Sequence, residues 1–386
     1  MNRRQITATI LALIGIGLFL YLKPRLAMPP WLEWGGPFTL GVLVTAAVVP
    51  ILGRLAHRID LLDRPDERKH HRGAVPLVGG VAVYLGFLVV ILVYPNTSDT
   101  VPAITYALGL LLVVGVLDDK FELPAWLKLC VQVAAAAIVI ALGTHITFLP
   151  DFWWGDILEY IITALWLIGL ANAVNFLDGI DGLASSLTIT AAVAFGLIGI
   201  HTGQYSFLLL CAALGGACTG FLPYNFRPRP ASAFLGDAGA TMLGFALAAI
   251  AIVGQWGTPS DTMAVQIAIP LLVLGVPIFD TTFITITRIA DGRIRTFREW
   301  IEYTGRDHIH HRLLKLGLNR FDTVLFLCII TVVLALSAIT LETESGLLTI
   351  LSLIQGAVIL IIIGRFMLFM ERRNASAEET SHGQAE

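Results

Sequence analysis

The stretch LEYIITALWLIGLANAVNFLDGIDGLASSLTITAAVAFGLIGI, residues 158–200, consists of two apolar runs with a polar segment between them. Each run approaches the length of about 20 apolar residues that a helix needs to cross a membrane. The polar segment NAVNFLDGIDGLA, residues 172–184, carries two asparagines and two aspartates, which is more than a turn requires. The stretch therefore predicts two spanning helices, with a candidate site where they join.

The whole chain has the composition of a membrane protein. Of its 386 residues 56% are hydrophobic and 14% are charged, and the mean hydropathy is +0.79. A soluble domain carries about 25% charged residues. The fold class predicted is all-α, a polytopic bundle of eleven or twelve transmembrane helices, because a barrel would show short alternating segments instead. The four cysteines lie inside apolar runs without metal-binding or disulfide spacing.

Twelve apolar windows are candidate spans, and eleven crossings with one re-entrant segment remain an alternative. The windows lie near residues 5–22, 37–54, 77–94, 103–117, 125–142, 157–171, 183–200, 206–222, 240–254, 263–286, 321–340 and 347–370. We predict an N-terminal helix with an outer loop over 1–36, a catalytic domain over 37–340, a last transmembrane helix over 341–370 and a disordered tail over 371–386.

The basic residues predict the orientation of these spans. Lys23 and Arg25 are the only Lys or Arg in loops that follow odd-numbered windows, and the other 23 of the 25 lie at the termini or towards the opposite side. Because basic residues accumulate in cytoplasmic segments, both termini and every even-to-odd loop are predicted to be cytoplasmic.

Every motif whose residues are suited to binding or catalysis falls on that predicted inner side. The inner loops concentrate aspartates, lysines and a histidine cluster, and they cover residues 63–80, 115–128, 172–184, 223–240 and 305–318. Carboxylates together with basic residues at one membrane face predict a divalent ion that holds phosphates, since Mg²⁺ uses one or two carboxylates plus phosphate oxygens. Each motif alone would fit a helix cap or a turn, so the prediction rests on their conjunction.

The sequence fits a zinc site or a secondary transporter less well. The spacing HIHH at 308–311 could bind zinc, but a fourth ligand of the cysteine type is absent nearby and the HExxH spacing is not met. A secondary transporter would place polar groups at the bilayer midplane and repeat its motifs between halves, and neither pattern occurs. Asp280, near the inner end of the tenth window, is a costly residue in a span and therefore a functional candidate.

In sequence order, the motifs resemble those of the polyprenyl-phosphate N-acetylhexosamine-1-phosphate transferase superfamily (glycosyltransferase family 4), over about residues 38–340. RKHHRGAVPLVGG, LDDK with Lys128, NAVNFLDGIDGLA and FLGDAG each resemble a motif of that family, and HIHH resembles the loop of its WecA/TagO-like branch. The resemblance implies an MraY-like fold. It also implies transfer of an N-acetylhexosamine-1-phosphate, with GlcNAc favoured, from a UDP-sugar to undecaprenyl phosphate, releasing UMP. A UDP-MurNAc-pentapeptide donor is the alternative within the superfamily.

The resemblance also implies roles for individual residues. Asn175 and Asp237 would hold Mg²⁺, with Mn²⁺ as a substitute, and Phe234 would stack on uracil. The catalytic residues would be Asp118, Asp119, Lys128 and Asp237, and the substrate-binding residues Lys69, His71, Asn172, Asp178, Asp181, Asn225, Phe234, His308, His310 and His311.

A phosphate monoester with a second pKa near ~6 is mostly dianionic at neutral pH, so direct attack by the lipid phosphate is favoured over an aspartyl-phosphate intermediate. Asp118 or Asp119 would position the attacking phosphate or remove a residual proton. The expected setting is the inner (plasma) membrane, with the bilayer, the UDP-sugar and the polyprenyl phosphate as partners and no nucleic acid. A homodimer is left open.

Overall fold

The fold is that of a helical membrane protein, and it is described here from a computed structural model. The structure describes residues 3–22, 34–64, 73–94, 98–147, 149, 152–226, 230–256, 263–296, 299, 305, 307–341 and 346–382. Within them the chain divides into two compact units, Met1–Gln255 and Trp256–Glu386, and each unit is described separately. The domain boundaries proposed from the sequence stay predictions.

The first unit contains nine helices within its described residues, together with one short β-hairpin. The helices are α1 (Arg3–Leu22), α2 (Gly35–Ile59), α3 (Gly79–Val93), α4 (Thr100–Phe121), α5 (Ala125–Ala141), α6 (Trp153–Leu177), α7 (Leu183–Thr202), α8 (Tyr205–Asn225) and α9 (Gly236–Val253). The hairpin strands β1 (Leu62–Asp63) and β2 (Val75–Pro76) pair antiparallel, with Leu62 opposite Pro76. Phe234 extends this sheet through a parallel bridge to Leu77.

The second unit has five helices in the part that the structure describes. They are α10 (Met263–Val273), α11 (Gly275–Ala290), α12 (Ile309–Lys315), α13 (Arg320–Thr340) and α14 (Gly346–His382). The axes of α10 and α11 are bent by 79° at their junction. Helix α14 continues into residues 371–382, where the sequence predicts a disordered tail; that segment is rich in the helix formers Ala, Glu and Arg.

Each predicted window corresponds to a helix or to the bent pair. Eight described helices are long and apolar enough to cross a membrane, and the bent pair α10–α11 makes up to nine. The remaining three windows correspond to shorter apolar helices, Thr9–Phe19, Gly79–Val93 and Ala125–Ala141. The all-α polytopic fold class predicted from the sequence is confirmed.

Small residues let the helices of the first unit approach closely. A Cβ atom added at Gly216 of α8 would collide with the backbone of Phe38 in α2. Similarly, Gly244 of α9 lies against the backbone of Leu170 and Ala171 in α6. Helices α8 and α9 are the most buried of the spans, and α9 packs against both α4 and α6. This arrangement brings the ends of α4, α6 and α9 together.

Candidate functional site

Asp118 is a buried carboxylate at the end of α4, and two groups of the following segment bind it. Lys128 Nζ lies 2.9 Å from Asp118 Oδ2, and the backbone N–H of Leu123 donates to Asp118 Oδ1 at 2.8 Å. The helix ends in Glu122, whose φ of 51° is left-handed. Asp118 therefore fixes the turn between α4 and α5, and it holds Lys128 at this end of the bundle.

Its neighbour Asp119 bonds instead to the helix that carries Asp237. Asp119 Oδ1 accepts a hydrogen bond of 2.9 Å from the backbone N–H of Asp237, and the carboxylate also bonds the N–H of Ala238. These are N–H groups that a helix N-terminus leaves without an intrahelical partner. Gly236 has a φ of +78°, and a side chain there would collide with the Asp119 carboxylate. Asp119 thus caps α9, and the side chain of Asp237 is left exposed.

The segment 172–184 closes α6 and opens α7. Asn172 pairs with Gln132 of α5 through two amide hydrogen bonds, of 2.8 and 3.2 Å, and its Nδ2 also donates to the carbonyl of Ile168. Asn172 therefore joins α5 to α6, and Asn175 lies one turn further along α6, partly exposed.

Asp178 follows the last residue of α6, and its carboxylate accepts a hydrogen bond from the N–H of Ala184 at the start of α7. Burial, and then the negative charges of Asp237, Asp181 and Asp119, raise the pKa of Asp178 to about 8, although the hydrogen bond from Ala184 acts in the opposite direction. Carboxylates from three segments therefore lie near enough to repel one another. A cation bound among them would remove this repulsion.

The donor set fits Mg²⁺ better than a metal enclosed by protein ligands. Among the described residues, no group of three or more His, Cys, Asp or Glu side chains could hold a metal ion. Mg²⁺ does not require such a cage, because it commonly binds one or two carboxylates, substrate phosphates and water. Asn175 and Asp237, at the ends of α6 and α9, are the ligands that the motifs predict, and that assignment stays a prediction.

Asn225 and Phe234 shape the segments around the acidic groups. Asn225 is buried; its Oδ1 accepts from the N–H of Gly182 at 2.6 Å and its Nδ2 donates to the carbonyl of Ala233 at 3.1 Å. One side chain thus joins the loop before α7 to the loop before α9. Phe234 is held by its backbone, whose N–H donates to the carbonyl of Pro76. The predicted residues Lys69 and His71 lie outside the described residues.

The histidine motif belongs to the second unit, where α11 holds it. His308 Nδ1 lies 2.7 Å from Oδ2 of the fully buried Asp280. Asp307 forms a buried ion pair with Arg288, whose Nε donates at 2.8 Å. Burial by itself would raise the pKa of Asp307, but the hydrogen bonds and charge of Arg288 outweigh it and lower the pKa.

His310 is completely buried in α12, and neither of its ring nitrogens has a hydrogen-bond partner among the residues that the structure describes. Its ring lies 4.1 Å from that of His311 and 6.0 Å from that of His308, centroid to centroid. Burial, and then the charges of His311 and His308, lower its pKa well below the usual value. His310 is therefore a neutral imidazole near pH 7, and His311 is half-buried.

The residues that the sequence did not predict are those that bond the predicted site residues or hold their loops. Gln132, Arg288 and Asp307 each bond a motif residue or anchor its loop, but none belongs to a recognisable pattern. Asp280 had a signal, since a carboxylate in an apolar span is costly, but the sequence did not indicate its partner. No sequence spacing could have shown that Asp118 and Asp119 bond to different segments.

The fold and the site define a multi-pass helical membrane protein with an acidic cluster where several helices end. Comparison with known proteins identifies its family. Residues 101–255 match the model of Glycosyl transferase family 4. A probable undecaprenyl-phosphate N-acetylglucosaminyl 1-phosphate transferase of Bacillus subtilis (strain 168) is 33% identical over 316 residues, covering 80% of this chain and 85% of that protein.

Two further relatives agree with this match. A decaprenyl-phosphate N-acetylglucosaminephosphotransferase of Mycolicibacterium smegmatis is 28% identical over 332 residues, covering 76% of this chain and 80% of that protein. An undecaprenyl-phosphate alpha-N-acetylglucosaminyl 1-phosphate transferase of Escherichia coli (strain K12) is 28% identical over 294 residues, covering 73% of this chain and 77% of that protein. The chain belongs to glycosyl transferase family 4, and the resemblance seen in its motifs is confirmed.

Proposed function

We propose that this protein transfers N-acetylglucosamine-1-phosphate from UDP-GlcNAc to a polyprenyl phosphate, releasing UMP and starting a cell-envelope glycan. The relatives are named for this transfer to undecaprenyl or decaprenyl phosphate. The observation that carries the proposal is the convergence of Asp119, Asp178 and Asp237 at the ends of apolar helices. A lipid phosphate must meet a water-soluble diphosphate at the membrane surface, and helix ends are where that surface lies.

The proposed reaction is a direct displacement at phosphorus. An oxygen of the polyprenyl phosphate attacks the β-phosphorus of UDP-GlcNAc, the bond from that phosphorus to the oxygen bridging to the α-phosphate breaks, and UMP leaves with that oxygen. Phosphoryl transfer depends mainly on alignment and charge stabilisation. The attacking phosphate is already ionised near neutral pH, so a covalent enzyme intermediate is not required.

The proposed metal site uses Asn175 and Asp237 to hold Mg²⁺ against the diphosphate. When bound, the ion supplies neutralisation of the phosphate oxygens and orients them. Asp119 fixes the first turn of α9 and so fixes where Asp237 stands. Lys128, held by Asp118, provides a positive charge for a phosphate, while Asp178 and Asp181 line the nucleotide pocket and Phe234 stacks on uracil.

The proposed setting is the inner membrane, with the acidic cluster at its cytoplasmic face. The unequal distribution of Lys and Arg between the predicted inner and outer loops supports this orientation, because these residues favour the cytoplasmic side. UDP-sugars are then available directly from the cytoplasm. By resemblance of its motif, the histidine loop is assigned to the sugar nucleotide.

The central experiment uses purified protein in detergent with radiolabelled UDP-GlcNAc, undecaprenyl phosphate and Mg²⁺. We expect a lipid-linked GlcNAc diphosphate together with stoichiometric UMP, and loss of both products when EDTA is added. Unlabelled UDP-GalNAc and UDP-MurNAc-pentapeptide, added as competitors, distinguish the sugar. Turnover with the pentapeptide donor and none with UDP-GlcNAc would overturn the assignment.

Two controls separate the proposed steps. UDP-GlcNAc without lipid phosphate should release no UMP, because the displacement has no enzyme-bound intermediate. The variant Asp237→Asn should fold, since this side chain is exposed, and should have no activity at any Mg²⁺ concentration. Near-normal turnover of Asp237→Asn would remove Asp237 from the proposed metal site.

A further inference from the structure

Asp280 lies in the second turn of α11, in the bent pair of apolar helices, and its side chain is completely buried. A buried carboxylate is costly unless other groups bond both of its oxygens. Here each oxygen has a separate partner. Oδ1 accepts from the backbone N–H of Ile309 at 2.7 Å, and Oδ2 lies 2.7 Å from His308 Nδ1.

The first of these bonds is a helix cap supplied from another helix. Ile309 begins α12, and His308, the N-cap residue, makes no side-chain capping bond of its own. A serine or an asparagine would perform this task with a single acceptor and without a buried charge. Capping alone therefore does not account for a carboxylate at position 280, nor for the second oxygen directed at the imidazole ring.

A second contact to α11 fixes the same loop. Asp307, immediately before His308, pairs with Arg288 about two turns along α11 from Asp280. The backbone carbonyl of Asp307 accepts from Arg312 Nε at 2.7 Å, and the Arg312 guanidinium lies over the Phe283 ring. The main chain is thus held by Asp307 before His308 and by Asp280 Oδ1 at Ile309, and the orientation of the His308 ring depends on Asp280 Oδ2.

We propose that Asp280 is a positioning residue for the transfer reaction: it keeps the hydrogen of His308 on Nδ1 and fixes the rotation of the ring towards the sugar nucleotide. A carboxylate that accepts from Nδ1 fixes both the tautomer and the rotation of an imidazole. This inference rests on the proposed function, in which His308 contacts UDP-GlcNAc. It adds a residue that the motifs do not contain.

The test uses Asp280→Asn, which retains an oxygen for the N–H of Ile309 but turns an N–H towards His308. That change reverses which ring nitrogen carries the hydrogen. We expect kcat/KM for UDP-GlcNAc to fall about 10- to 100-fold, the range found when a partner that orients a metal-ligating histidine is removed. The KM for undecaprenyl phosphate should not change. Thr281→Val is the matched control and should keep full activity, because it removes a buried neighbouring hydroxyl that bonds none of the described residues.

A double-mutant cycle separates positioning from simple stabilisation. If Asp280 acts through the His308 ring, adding Asp280→Asn to His308→Ala should cause less than a twofold further loss of kcat/KM. A purely structural role would instead give the full loss again in the His308→Ala background. That result, or near-normal kinetics of folded Asp280→Asn, would overturn the proposal.

A measurement on the wild-type protein tests the contact without an activity assay. In ¹⁵N-histidine-labelled protein, with the His308 signals identified by their absence in His308→Ala, Nδ1 should carry a hydrogen. A bare Nδ1 would overturn the proposal. If the wild type proves inactive with UDP-GlcNAc, the proposed function fails, whereas the state of Nδ1 still tests the Asp280–His308 contact separately.

Discussion

Asp119 Oδ1 accepts a 2.9 Å hydrogen bond from the backbone N–H of Asp237, so one acidic motif caps the helix that carries the other. The adjacent Asp118 points to a different partner, Lys128. Two consecutive aspartates therefore have separate structural tasks. Asp119 sets the position of the proposed metal ligand, and Asp118 sets that of a positive charge.

Substitutions at position 119 should separate the effect of capping α9 on stability from the effect of the Asp119 charge on activity. Asp119→Ala removes the acceptor for the first turn of α9, so we expect the free energy of unfolding to fall by about 0.5–2 kcal/mol. Asp119→Asn keeps an acceptor and should have near-normal stability. Both should lose at least about 100-fold in UMP release, because the acidic cluster loses a charge. Thermal unfolding in detergent and UMP release measure the two effects, and a fully active Asp119→Asn would contradict the catalytic part.

The Lys128–Asp118 pair should contribute more to the free energy of unfolding than a typical surface ion pair does. Lys128→Met leaves the buried Asp118 carboxylate with one partner fewer, and a hydrogen bond to a charged group contributes roughly 1.5–3 kcal/mol. Lys120→Met is the matched control, since Lys120 is exposed, donates to the carbonyl of Ile59 at 3.1 Å and lies over the Phe121 ring, but pairs with no buried carboxylate among the described residues. Thermal unfolding of both variants measures the difference. Equal stability loss in the two variants would show that the burial of Asp118 carries no special cost.

Divalent-ion binding should depend on pH through Asp178. Burial and then its acidic neighbours raise the pKa of Asp178 to about 8, so the carboxyl is mostly protonated at pH 6.5 and mostly ionised at pH 8.5. A cation binds the ionised form, and binding therefore releases a proton below pH 8. The Kd should be weaker at pH 6.5 than at pH 8.5 by up to about 25-fold, the limit set by a tenfold change per pH unit below the pKa.

Titration with Mn²⁺, followed by its electron paramagnetic resonance signal, measures this dependence directly. Asp178→Asn cannot titrate and should bind with a Kd that varies much less over the same range. A wild-type Kd that is independent of pH would show that Asp178 does not interact with the ion.

The sequence was enough to predict the spans, because the length and apolarity of a helix that crosses a membrane are local properties. The family was also predictable, since its motifs occur in order. The bonds within the site were not, because they join residues far apart in the chain. Gln132 and Asn172 are 40 residues apart, Asn225 and Gly182 are 43 apart, and Asp119 and Asp237 are 118 apart. Only the packing of the helices determines which of these polar groups meet.

The predicted orientation can be checked by cysteine labelling in intact cells. Cys130 and Cys328, the two native cysteines that are not fully buried, would first be replaced by serine. In that background, Tyr205→Cys should react with an impermeant maleimide, because Tyr205 is 64% exposed and starts α8 on the predicted outer side. Ala125→Cys, exposed at the start of α5, should react only after the cells are opened. The reverse pattern would invert the orientation.

His310 should show a conflict between stability and activity. Its ring is buried, with two nitrogens that lack partners within the described part of the chain, and a buried polar group without a partner costs about 1–3 kcal/mol. His310→Met fills a similar volume without those nitrogens, so we expect the melting temperature to rise. If the ring bonds substrate, kcat/KM for UDP-GlcNAc should at the same time fall at least about tenfold. His311→Met is the matched control; His311 is half-buried, and the same change there should not raise the melting temperature. A lower melting temperature with unchanged kinetics in His310→Met would show that the ring only packs the loop and would remove His310 from the predicted substrate-binding residues.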